Sequence, residues 1–189
     1  VEKNRFIYQY PRIQYKIIND RPLIIGIEEG IDVLERIYGQ LGELQLGACE
    51  TELHSEVRID VVDQLFGDCE DLVEYRFVTP WMALNQKNYE RFATGNKESN
   101  DKLLKSILIG NILSLAKSLG YKIENRVYAK PRLTGSRVNF KNKSMITFFG
   151  SFVVNFHIPD YLGLGKSVSR GFGTVLKNTG IQRFRNSGI

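Results

Sequence analysis

The chain has 189 residues, enough for one domain or two small ones, and a hydrophobic share of 42% that can fill a core. No apolar run approaches the ~20 residues that a bilayer span needs. The N-terminal Val1-Glu2-Lys3-Asn4 is too polar for a signal peptide, and two cysteines, Cys49 and Cys69, are too few for a disulfide framework or a zinc site. A cytoplasmic protein with reduced thiols is therefore expected. Its net charge of +5 conceals an asymmetry. Residues 1–120 carry 14 Lys+Arg against 19 Asp+Glu, whereas residues 121–189 carry 12 Lys+Arg against only Glu124 and Asp160. Such a basic segment calls for a polyanionic partner.

Taken in order, Ile13–Ile18 and Leu23–Ile27 read as two strands joined through Asn19-Asp20-Arg21-Pro22, a hairpin turn signal. Ile31, Leu34 and Ile37/Tyr38 recur at helical spacing, and Gly39 can end the element, so Gly30–Tyr38 is expected to be helical. Leu53, Ser55, Val57, Ile59 and Val61 alternate with Glu52, His54, Glu56, Arg58 and Asp60, the pattern of a half-buried strand. Leu72–Val78 is the next strand. Asn100 is placed to cap a helix whose apolar face is Leu104, Ile107, Leu108, Ile112, Leu115 and Leu119, and Gly120 ends it.

A β pattern resumes over Tyr121–Tyr128, and Pro131–Arg137 reads as a basic loop. Ser144–Ile158 is a long strand with a bend at Gly150. Ile146, Phe148, Phe152, Val154, Phe156 and Ile158 share one face; Thr147, Ser151, Asn155 and His157 share the other. A short last strand is expected near Gly173–Leu176, followed by a poorly ordered end over 177–189. Strands and helices mixed in this way, on antiparallel hairpins, define an α+β chain.

Between the last two strands lies Gly163-Leu164-Gly165-Lys166-Ser167-Val168-Ser169-Arg170-Gly171-Phe172-Gly173-Thr174. Glycine permits positive φ and close backbone approach, and successive N–H groups in such a bend can form an anion-binding nest. Lys166 and Arg170 add charge, and an Arg can grip a phosphate with two parallel hydrogen bonds. Two nucleotide motifs fail here. A Walker loop needs glycine where this chain has Asp160, and the dinucleotide fingerprint needs glycine where it has Val168.

This stretch resembles the C-terminal glycine-rich loop of the CRISPR-associated repeat-processing endoribonucleases, RNA-binding proteins of the repeat-associated mysterious protein (RAMP) superfamily. Two further stretches agree in order and spacing. Tyr10-Pro11-Arg12-Ile13-Gln14-Tyr15-Lys16 resembles a Tyr-Pro-x-x-Gln-Tyr-Lys segment of one subgroup, and Thr79-Pro80-Trp81-Met82-Ala83-Leu84-Asn85 resembles the entry to that subgroup's second domain. The resemblance implies two tandem ferredoxin-like (RRM-like) domains with antiparallel sheets, residues 1–78 and residues 79–189, the second carrying the glycine-rich loop just before its last strand.

The family's reaction needs neither metal nor cofactor. A ribose 2′-OH attacks the adjacent phosphate, leaving a 2′,3′-cyclic phosphate and a 5′-OH. Such chemistry calls for proton transfer, for which histidine is suited near neutral pH. His54 lies among Glu52, Glu56 and Asp60, a setting that repels RNA. His157 precedes the glycine loop and is a weak catalytic candidate, as are Tyr8 and Tyr10. In the subgroup the catalytic histidines lie in a Phe-His-Asn-His-like stretch shortly before the Tyr-Pro segment. No histidine precedes Tyr10 here, so the expectation is that this N-terminal segment and a first strand are missing, leaving an incomplete first sheet and a chain that binds RNA without cutting it, the full-length protein being the endoribonuclease.

The residues expected to touch RNA are Gly163, Gly165, Lys166, Ser167, Ser169, Arg170, Gly171 and Gly173 of the loop, with Lys130, Arg132 and Arg137. The expected partner is CRISPR repeat RNA; other CRISPR-associated proteins and a second copy of the chain are further candidates, and a membrane is not. Two other readings compete: a non-catalytic RNA-binding module of the same fold, and a protein-interaction domain with a basic tail.

Overall fold

A computed structural model describes residues 9–38, 45–46, 49–50, 58–140 and 143–178. The N-terminal part opens with the expected hairpin, β1 (Ile13–Ile18) and β2 (Arg21–Gly26), paired antiparallel from Ile13↔Gly26 to Ile18↔Arg21. Asn19 and Asp20 both have positive φ, 50° and 60°, as a two-residue type I′ turn requires. Helix α1 (Glu29–Tyr38) follows, and two short strands, β3 (Gln45–Leu46) and β4 (Cys49–Glu50), pair with each other. Arg12 ties this unit together. It meets Glu28 at 2.9 Å and Glu29 at 2.8 Å, which holds the Glu29 carboxyl below the usual carboxylate range, and donates to the Ser118 carbonyl at 3.1 Å.

The C-terminal part holds the core. Its strands are β5 (Gly67–Trp81), β6 (Ala129–Phe140), β7 (Lys143–His157) and β8 (Val175–Lys177), all antiparallel, in the order β6-β7-β5-β8. Helices α2 (Gln86–Thr94) and α3 (Lys97–Ser118) connect β5 to β6. This is the ferredoxin-like split β-α-β arrangement, with the glycine-rich loop and one 3₁₀ turn, Val168–Arg170, where a second helix would stand. Alternate residues of β5 (Val73, Tyr75, Phe77, Trp81) and β7 (Phe148, Phe152, Val154, Phe156) pack against Leu104, Leu108, Ile112 and Leu115 of α3. Phe77 stacks on Trp81 with ring centroids 5.2 Å apart. Each such large side chain taken out of water contributes ~1.5–3 kcal/mol. No helix among the described residues is long and apolar enough to cross a membrane.

Gly150 is a bend, as its sequence position suggested. Its φ is 128°, and a Cβ there would run into the Arg132 carbonyl. The β5–β7 register also slips beside it, between Phe77↔Gly150 and Trp81↔Phe148. Other expectations are corrected. Asn100 does not cap α3; Asn96 does, its side chain accepting the Ser99 N–H at 2.9 Å, while Asn100 reaches back to the Phe92 carbonyl at the end of α2 (3.1 Å). Tyr121–Tyr128 is irregular rather than a strand, because side chains satisfy its polar groups. Asp68 accepts from the Tyr121 hydroxyl (2.7 Å) and the Asn125 side chain (2.6 Å), and Asn155 accepts from Tyr128 N–H (2.6 Å). Those bonds from Tyr121 and Asn125 hold the Asp68 carboxyl below its ordinary value.

Pro131–Arg137 is no loop but part of β6, at the sheet edge, where proline is tolerated. Thr147 and Asn155, read on the face opposite the apolar one, are buried as well. Most of the strand expected over 53–61 lies outside the described residues, as does His54; its described end has no strand structure, with Ile59 and Val61 exposed. Position 78/79, where the two domains were expected to meet, falls inside the continuous β5.

Candidate RNA interface: the glycine-rich loop and its supports

The loop from Gly163 to Thr174 closes on itself. Gly163 and Thr174 form an antiparallel bridge, and Leu164 N–H donates to the Gly173 carbonyl at 2.8 Å. Gly165, Ser167, Gly171 and Gly173 all have positive φ, between 57° and 89°. Ser167, the non-glycine member, opens the 3₁₀ turn.

Two distant stretches hold this loop, and they are the ones that carry the family resemblance. From the Thr79–Leu84 stretch, the Pro80 carbonyl accepts Gly173 N–H (2.8 Å), the Thr79 hydroxyl accepts Thr174 N–H (2.8 Å) and the Met82 carbonyl accepts Lys166 N–H (3.2 Å). The Trp81 ring lies so close beneath Gly165 that a Cβ there would stand 2.7 Å from its Nε1. From the Tyr10–Lys16 stretch, the Tyr10 hydroxyl donates to the Gly163 carbonyl (2.7 Å) and accepts its N–H (3.2 Å). Gln14 Oε1 accepts the same N–H (3.2 Å) and a bond from Lys16 Nζ (2.8 Å). A Cβ on Gly171 would stand 3.0 Å from the Tyr15 carbonyl.

The glycines therefore permit close approach of the chain to itself. Gly165 and Gly171 are packed against protein, and a Cβ on Gly173 would strike the Leu164 carbonyl. The charges stand outward: Lys166 and Arg170 are exposed. Lys166 nevertheless bends back to the Leu84 carbonyl at 2.9 Å, and partial desolvation lowers its pKa. Ser167 and Ser169 are half-buried in the turn.

The remaining candidates are placed apart. Tyr10 is part of the loop's support, and burial pushes its phenol up to about 12. His157 pairs with Gly67, at the opposite end of β5 from the Thr79–Leu84 contacts, so it does not adjoin the loop as its sequence position suggested. Tyr8 lies outside the described residues. Lys130, Arg132 and Arg137 are exposed on β6, three strand spacings across the sheet from β8, or roughly 14 Å.

Sequence reasoning missed Gln14 and Lys16 as parts of the site. Both are buried, at 0% and 3% exposure, while their apolar neighbours Tyr15 and Ile17 are exposed. Burial pushes the Lys16 ammonium down to about 8. The one signal was Gln14-x-Lys16 on one face of a strand, a polar pair with period 2, which by default is assigned to solvent.

A ferredoxin-like domain ending in a braced, cation-bearing glycine loop defines the class: a RAMP-type RNA-processing fold. Residues 68–178 match the Cas6b C-terminal domain and residues 1–61 the Cas6b N-terminal domain, and the chain belongs to the Cas6b family. A Cas6b crystal structure superposes with a TM-score of 0.87 at 46% identity, covering 93% of this chain and 81% of that one. The crystal structure of the CRISPR RNA processing endoribonuclease Cas6b gives 0.81 at 46% identity, covering 90% and 83%. An uncharacterised protein of Methanocaldococcus jannaschii is 40% identical over 144 residues, 72% of this chain and 98% of its own length. A type IV Cas6 crRNA endonuclease, Csf5, shares the tandem ferredoxin-like fold at 14% identity, with a TM-score of 0.56 over 88% of this chain and 67% of that one.

Proposed function

We propose that this chain binds CRISPR repeat RNA and acts in its cleavage as an endoribonuclease of the Cas6b type. The observation that carries the reading is the convergence of the Tyr10–Lys16 and Thr79–Leu84 stretches on one glycine loop whose Lys166 and Arg170 stand outward. The loop serves as the phosphate-positioning element, with Ser167 and Ser169 beside the charges. In the reaction the 2′-oxygen loses its proton and forms a bond to phosphorus; the bond from phosphorus to the 5′-oxygen breaks, and that oxygen takes a proton. Cations near the phosphate stabilise the charge that builds on its oxygens.

Tyr10 is a positioning residue in this reading. A phenol held on Gly163 and pushed to about 12 is poorly matched to proton transfer near neutral pH. Tyr8 keeps its place as a candidate proton carrier, and His157 loses priority because it pairs at the far end of β5. The region from Arg58 to Phe66, which precedes β5, is a better junction between the two domains than position 78. Association with other CRISPR-associated proteins or with a second copy belongs to the same reading, as does a cytoplasmic setting, where the RNA is made.

The test is incubation of the full-length protein with its repeat RNA in EDTA, with both new ends mapped. A 2′,3′-cyclic phosphate and a 5′-OH at one position are expected. RNA that is bound and left intact would support the non-catalytic module instead, and cleavage that appears only with a divalent cation would overturn the proposed mechanism.

A further inference from the structure

Between α3 and β6, the edge strand of the sheet among the described residues, runs a groove of about 370 Å³. Lys97, Lys102 and Lys105 line it from the helix, Lys130 and Arg132 from the strand, and Asp101 is the one carboxylate among its lining residues. Glu98 neutralises Lys102 at 2.6 Å, which leaves Lys97, Lys105, Lys130 and Arg132 facing a single negative charge. All four are exposed. The sequence does not reveal this cluster, because the lysines of α3 belong to the net acidic part of the chain and only the fold brings them beside β6.

We infer that this groove is a second RNA-backbone site, separate from the glycine loop and built to hold a single-stranded tract of the same RNA. The inference rests on the RNA-binding reading above. Like charges gathered along one channel repel one another unless a polyanion passes through, and a channel of one sign raises the local concentration of such a ligand. A protein strand added to the β6 edge fits less well: Pro131 lies within that edge, and proline and lysine are the residues that keep free edges from recruiting strands. The two RNA sites stand at opposite edges of the sheet, since β8 follows the glycine loop and β6 lines the groove. One RNA chain can therefore be held on both sides of the domain.

The test compares three proteins: the unmodified chain, the groove variant Lys97→Ala/Lys105→Ala/Lys130→Ala, and the loop variant Lys166→Ala/Arg170→Ala. The probe is a 30-nucleotide, mixed-sequence, single-stranded RNA carrying 4-thiouridine and a fluorophore, titrated across a salt series. Removing three phosphate-neutralising lysines should flatten the slope of log K against log salt by about 2 in the groove variant. Photo-crosslinks to the peptides spanning 97–105 and 129–133 should be present in the unmodified chain and fall several-fold in that variant. Exposed lysines replaced by alanine leave stability nearly unchanged, so an unchanged urea midpoint verifies the fold. If the groove variant matches the unmodified chain in affinity and slope while the loop variant does not, the groove inference is wrong and the RNA reading stands. If the unmodified chain fails to bind this RNA and its own repeat RNA alike, the RNA reading itself fails.

Discussion

The Tyr10 hydroxyl and the Gly163 carbonyl, 153 residues apart in sequence, meet at 2.7 Å, and the same hydroxyl accepts the Gly163 N–H. One phenol therefore serves both polar groups of a single residue, and Gly163 is buried. In Tyr10→Phe the N–H keeps Gln14 as partner, but the carbonyl is deprived of its side-chain donor. An unsatisfied buried carbonyl costs about 1–3 kcal/mol. Urea unfolding should show a loss in that range, and hydrogen exchange should show faster opening at Leu164 and Val175, whose amides belong to the loop's own closure. A variant as stable as the parent would remove Tyr10 from the loop's support.

Lys16 gives this support a pH dependence. Burial lowers its pKa from 10.5 to about 8. Below pH 8 the lysine is protonated in both the folded and unfolded states, and folding carries the full cost of burying the charge. Between pH 8 and 10.5 the unfolded chain binds the extra proton, so this group makes stability rise with pH. A shift of this size corresponds to about 3 kcal/mol when complete. Tyr10, raised from 10.0 to about 12, acts in the opposite sense above pH 10, where the unfolded phenol ionises first. The clean window is therefore pH 8 to 10. The difference in urea midpoint between the parent and Lys16→Met should move in the parent's favour across it, and a flat difference would show that the ammonium is not buried.

What was legible in the sequence followed the side-chain period. The Asn19-Asp20 turn, the apolar face of α3 from Leu104 to Leu115 and the even-numbered core face of β7 were readable because burial there follows from one element's own pattern. Where polar groups are satisfied by distant partners, reading failed. Tyr121–Tyr128 has a strand-like pattern, yet Asp68 and Asn155, far away in sequence, take its donors. Gln14 and Lys16 alternate as solvated residues would, but face inward because Gly163 needs an acceptor. The position of the glycine loop was visible; what its glycines touch was not.

Those glycine contacts can be separated from RNA binding. Gly165 has φ 89° and lies against Trp81 and the Met82 carbonyl, so Gly165→Val should unfold the loop's seat rather than merely block a ligand. A strained φ costs ~1–3 kcal/mol, and the clash adds to it. Gly135 is the control: a Cβ there meets only Phe148, at an ordinary 3.7 Å, so Gly135→Ala should be neutral or slightly stabilising. Thermal or urea unfolding of the two variants, without RNA, should differ by at least about 2 kcal/mol on these magnitudes. Equal stability would mean that Gly165 is spared for a ligand after all.

Charge on the loop makes a different prediction, because Lys166 and Arg170 face outward while the glycines face in. Lys166→Ala/Arg170→Ala removes two positive charges and the bond from Lys166 Nζ to the Leu84 carbonyl. The Lys166 bond is worth ~1 kcal/mol, and a urea midpoint measured beside the RNA affinity checks that the fold survives. Each cation withdrawn from a phosphate should flatten the slope of log K against log salt by about 0.7 for single-stranded RNA. The double variant should therefore bind repeat RNA more weakly, with a slope reduced by roughly one to one and a half. The weakening should be greatest at low salt and fade as salt rises, since the ion pairs removed are those that release counterions. A purely mechanical role of the loop would instead lower affinity by the same factor at every salt concentration. Parallel binding lines for parent and variant would assign the loop to shape alone and transfer its phosphate-holding role to other cations, with Lys130 and Arg132 first in line.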